Sequence, residues 1–77
     1  MIYTVNMTCK ERIGKNIKLA RVAAGKTQRE LENAIGMKGG GGGAYVCRVE
    51  AGEITPGGLG MMKIAQALGV NVGELLT

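Results

Sequence analysis

Histidine, aspartate, phenylalanine and tryptophan are absent from this chain, and cysteine occurs only as Cys9 and Cys47. The missing imidazole removes nucleophiles of the Ser–His or Cys–His kind, which need it as their base. Metal chemistry is equally short of ligands, since a zinc site takes about four N, S or O donors at set spacing. No cofactor, metal or small-molecule substrate is expected, and the chain does not read as an enzyme. The two cysteines read as small buried apolar groups in a reducing compartment, with a disulfide as the alternative. Tyr3 and Tyr45 are the only aromatic residues, so the core must be aliphatic, and five Met with many Ala, Leu, Ile and Val favour helices packed on helices.

Long apolar runs are also missing. None approaches the ~18 residues of a membrane span, and residues 1–12 lack the apolar stretch of a secretory signal. A cytoplasmic protein with no membrane partner is the expectation. The 77 residues leave room for one domain with one small core, because a chain this size buries little more than ~60% of its unfolded surface. Ten Lys and Arg against six Glu give a net charge of +4 and a pI near 9.4, which attracts an anionic partner over long range. An ordinary solvated basic surface would carry the same charge, so position has to decide between the two.

The first residues, Met1 to Met7, alternate apolar and polar with β-branched members, a strand-like pattern without a partner strand in the chain. Residues 1–8 are therefore read as an arm, either disordered or paired with its symmetry mate in a dimer. Residues 9–77 form the domain. Thr8 with Glu11 makes a capping box that starts a helix near Cys9, and Ile13, Ile17, Ala20 and Ala24 then fall on one stripe until Gly25 ends it. Thr27 with Glu30 repeats the box, so a second helix starts at Gln28, buries Leu31, Ala34 and Ile35, and closes at Gly36.

Five consecutive glycines, Gly39 to Gly43, follow. Each costs about 1 kcal/mol relative to Ala in a helix, so a third helix begins no earlier than about Gly43. Val46, Val49 and Tyr45 give it an inward face, and Gly52 stops it. A fourth helix is expected from about Gly58 to Leu68, with Met61, Met62, Ile64, Ala65 and Leu68 inward and Gly69 as its cap. Asn71 is the expected N-cap of a last turn from Val72 to Leu76. Gly25-Lys26-Thr27 imitates the end of a phosphate loop, but no strand precedes it and no Asp is available for a metal.

The segments Ile13-Gly14-Lys15-Asn16-Ile17 with Arg21, Gly25-Lys26-Thr27-Gln28 with Glu30-Leu31, and Arg48-Val49-Glu50-Ala51-Gly52 resemble, in order and spacing, the helix-turn-helix domain of Cro and phage-repressor type transcriptional regulators. Thr55-Pro56, Lys63 to Val70 and Glu74-Leu75-Leu76 complete the likeness, which covers about residues 10–76. The resemblance implies an all-α, five-helix, lambda-repressor-like DNA-binding domain acting as a homodimer on double-stranded DNA. It implies that Gln28 sits at a phosphate, that Arg21 and Glu50 pair as a structural salt bridge, and that the start of helix three reads bases. Those positions fall on Gly42, Gly43, Ala44 and Tyr45, with Arg48 one turn further on, and Arg29 and Lys38 lie near enough to meet phosphates.

Glycine carries no donor for direct readout, so Tyr45 and Arg48 hold the polar side chains of that end. The connector from Met37 to Arg48 is also longer than the family's usual spacing. The expected function is sequence-specific DNA binding in transcription regulation through helix three. The alternative is a helix-turn-helix module used for protein contact, antitoxin-like, with weak or no DNA binding.

Overall fold

Local capping chemistry sets the helix boundaries in the computed structural model, which describes residues 8–37 and 42–77. Helix α1 spans Cys9–Ala23, α2 Gln28–Ala34, α3 Ala44–Glu50, α4 Gly58–Leu68 and α5 Val72–Leu76. Among the described residues there is no strand, and no helix is long and apolar enough to cross a membrane. The strand-like Met1 to Met7 lies outside the described residues.

Thr8 Oγ1 accepts from the Glu11 N–H at 3.1 Å, and the Glu11 carboxylate accepts from the Thr8 N–H at 2.9 Å. Thr27 and Glu30 repeat the exchange at 3.0 and 2.8 Å. Each box satisfies two N–H groups that have no partner inside a helix. At α5 the Glu74 carboxylate accepts from the Asn71 N–H, while the Glu74 N–H goes to the Asn71 main-chain carbonyl. Helices α1 to α4 all stop the same way, on Gly25, Gly36, Gly52 and Gly69 in left-handed conformation. The residue after each glycine donates its N–H back into the last turn: Lys26 to Arg21, Met37 to Glu32, Glu53 to Arg48 and Val70 to Ala65.

All five helices contribute to one core made of Ile17, Leu31, Ile35, Val46, Val49, Met61, Ile64, Ala65, Leu68 and Leu75. Helix α3 packs against α1 and α2, α4 lies on the far side against α2 and α5, and α5 returns to α1. Asn16 Nδ2 donates to the Leu75 carbonyl at 3.1 Å and ties the end of the chain to α1. Of the residues assigned to the apolar stripes of the helices, three are outside: Ala24 and Ala34 are exposed, and Met62 is 55% exposed whereas Met61 is 5%. The stripe of α4 runs through Met61, Ile64, Ala65 and Leu68, and Met62, about 100° around the helix from Met61, falls beyond its edge. Ala24 is the C-cap of α1, still helical in its backbone, at an end of the helix where Val22 to Gly25 are all exposed.

Candidate nucleic-acid interface

Helix α3 is held from beneath by α1 and α2. Val46 and Val49, each 1% exposed, form its underside. Gly14 of α1 is buried against its end, where an added Cβ would stand 2.3 Å from the Val49 carbonyl oxygen and 2.9 Å from that of Glu50. The helices touch backbone to backbone, and only glycine permits it.

The charged brace is Arg21–Glu50. Arg21 Nε donates to Glu50 Oε2 at 2.6 Å and Nη2 to Oε1 at 3.2 Å, a two-pronged pairing in which the side chains are 12% and 4% exposed. Arg21 Nη1 also donates to the Lys26 carbonyl at 2.8 Å, holding the α1–α2 turn. Gln28 Nε2 donates to Glu50 Oε1 at 3.0 Å. Gln28 is therefore half-buried inside this network, and one hydrogen of its amide is committed there; a carboxamide has a second to offer.

The other side of α3 is open. Ala44, Cys47, Arg48 and Ala51 are exposed and recur at the spacing of one helical face. Both cysteines are free and exposed, which corrects their expected burial. Cys47 lies on the face opposite Val46 and Val49, and Cys9 is in register with Ile13 and Ile17 but stands in the open first turn of α1. Tyr45 is half-buried against the core, so its ring is partly withdrawn from this face. Arg48 is 66% exposed in its side chain and meets Glu53 at 3.5 Å. An ion pair that open contributes about 0–1 kcal/mol and can be exchanged for another anion at little cost.

At the start of α3 the structure brings several sequence-selected residues together. Gly43 has φ 109° and is buried, and a Cβ there would lie 3.1 Å from both the Arg29 nitrogen and the Gln28 Cβ. Gly43 thus packs against the opening of α2 and is not itself on the open face, a correction to its placement among base-facing residues. Gln28, Arg29 and Ala44 gather around it, with Arg29 exposed. Arg48 follows one turn along. Lys38 lies outside the described residues.

Sequence reasoning missed Glu32. It is 3% exposed, and its Oε2 accepts from the Val46 N–H at 3.0 Å. The available signal was indirect: a glycine at the start of α3 brings no side-chain acceptor, so one has to come from elsewhere. Among the described residues no group of three or more Cys, Asp, Glu or His side chains could hold a metal ion. Glu30 is the one acid with a resolved displacement, held below the ordinary carboxyl value of 4.5 chiefly by the Thr27 main-chain N–H. A shallow groove of about 410 Å³ between Ala34, Ile35 and Gly36 on one side and Lys63, Gln66 and Ala67 on the other is separate from α3. Comparison with known protein families, curated proteins and solved structures finds no match to this chain.

Proposed function

We propose that this chain is a helix-turn-helix DNA-binding protein that lays the open face of α3 in the major groove of duplex DNA and acts in transcription regulation. The observation that carries the reading is a helix fixed on its inner side by Val46, Val49, Gly14 and the Arg21–Glu50 pair, yet free along Ala44, Cys47, Arg48 and Ala51. Small side chains let such a helix approach the groove floor closely, and Arg48 supplies the fork that matches guanine O6 and N7. Arg29, exposed beside the start of α3, would meet a phosphate, and the second amide hydrogen of Gln28 would meet the same backbone. Two copies would present α3 to groove segments roughly 34 Å apart.

The protein-contact reading draws on a specific feature of the same face. Ala44, Cys47 and Ala51 carry no strong hydrogen-bonding side chain, which leaves Arg48 with most of the readout. Titration of a labelled mixed-sequence duplex at low and moderate salt separates the two. DNA binding requires saturable association at low salt that weakens as salt rises, because neutralised phosphates release counterions. No association at low salt would remove DNA binding and leave protein contact.

A further inference from the structure

Helix α3 begins without a cap of its own. A serine, threonine, asparagine or aspartate at the cap position normally accepts from the N–H two or three residues on. Here that position is Gly43, and it makes no side-chain cap bond. A larger residue does not fit, since its Cβ would press on the Arg29 nitrogen and Gln28 Cβ at 3.1 Å, and φ 109° is strained for any L side chain. Close approach of α2 and a local cap exclude one another at this point.

The missing acceptor arrives from the neighbouring helix. Glu32 on α2 directs its carboxylate across the interface to the Val46 N–H, the third residue of α3, at 3.0 Å. Its residue is 3% exposed, and the two ion pairs among the described residues, Arg21–Glu50 and Arg48–Glu53, do not include it. Its negative charge faces the positive end of α3, where unpaired N–H groups concentrate. A carboxylate buried in this way costs desolvation unless a specific group receives it, and the start of α3 is that group.

We propose that Glu32 is the positioning residue of the DNA-reading helix: reaching from α2, it caps α3 in place of Gly43 and so fixes the setting of the Ala44, Cys47, Arg48 and Ala51 face. The functional half of this statement rests on the DNA-binding reading given above; the capping half does not.

Two variants test it in the full chain. Glu32→Met keeps length and volume but removes the acceptor, which leaves the buried Val46 N–H unsatisfied at a cost of about 1–3 kcal/mol. Glu32→Gln keeps an acceptor oxygen at the same reach. Hydrogen exchange at the Val46 amide, thermal unfolding and affinity for a mixed-sequence duplex about two turns long are measured for each. In the Met variant the helical signal is expected to hold and Tm to fall by several degrees, while, at a temperature where the chain stays folded, Val46 exchanges about tenfold faster and duplex affinity falls about tenfold. The Gln variant is expected to recover most of both. A merely structural role would lower Tm and leave the affinity of the folded chain unchanged. Val46 exchange as slow in Glu32→Met as in the parent overturns the proposal. Should the Met variant unfold, Glu32→Gln decides: protection and affinity kept support the acceptor role, and their loss in a folded chain overturns it. If the parent binds no duplex, the DNA-binding reading fails separately, and the Val46 amide still shows whether Glu32 sets α3.

Discussion

Three arginines of this chain serve different ends, and their surroundings explain why. Arg21 is held in two prongs by Glu50 and fixes the α1–α2 turn through Lys26, so it belongs to the fold. Arg21→Ala or Glu50→Ala should cost about 3–5 kcal/mol, because either leaves an uncompensated charge; urea unfolding of both single variants and the double variant should show a double loss well below the sum. Arg29 and Arg48 are exposed. Arg48→Ala should leave stability within about 0.5 kcal/mol yet reduce discrimination between duplexes by about 1–3 kcal/mol, read by competition between selected and random sequences. The Arg21–Glu50 pair was legible from the sequence through the family resemblance. Glu32 was not, since a glutamate beside Leu31 reads as solvated until α3 is seen lying across it.

Glu30 makes the stability of the fold depend on pH. Its carboxyl is held below 4.5 in the folded chain, so the stability it contributes is complete above that value and is lost as pH falls through the lower folded value. Glu30→Gln should flatten the acid limb of stability measured by thermal unfolding. A variant whose acid limb matches the parent would contradict the capping box as its source.

At the scale of elements, boundaries were legible and crossings were not. Thr8, Thr27 and Asn71 mark starts, and Gly25, Gly36, Gly52 and Gly69 mark stops, by local chemistry that needs no tertiary knowledge. Gly14 shows the limit. A glycine inside a helical pattern reads as a weak helix former, whereas its role is to let the backbone of α1 meet the carbonyls of Val49 and Glu50. Gly14→Ala should therefore destabilise by about 1–3 kcal/mol despite its better helix propensity, because overpacking at a backbone contact forces the helices apart. A more stable alanine variant would contradict the close crossing. Exposed Met62 and Ala34 have the same origin: the pattern locates an apolar stripe, and the partner helix decides its edges.

On the scale of the whole molecule, α1, α2 and α4 with α5 build a platform whose product is the placement of α3. Of the ten basic residues, Arg21 is withdrawn into the brace, Arg48 stands on the open face and Arg29 is exposed beside its start. The sequence located that face through the spacing of Val46 and Val49 and the resemblance around Arg48. It could not show that Gly43 turns inward or that Cys47 turns outward, since both depend on how α2 meets α3.

Cys47 makes the central claim directly measurable. With Cys9 replaced by alanine, it becomes the single thiol, standing between Ala44 and Arg48 on the face assigned to the groove. Its alkylation rate can be followed with and without saturating duplex at low salt. If α3 enters the groove, duplex should slow the reaction about tenfold or more and added salt should restore it. An unchanged rate in the presence of bound duplex would place the DNA elsewhere and contradict the assignment of α3.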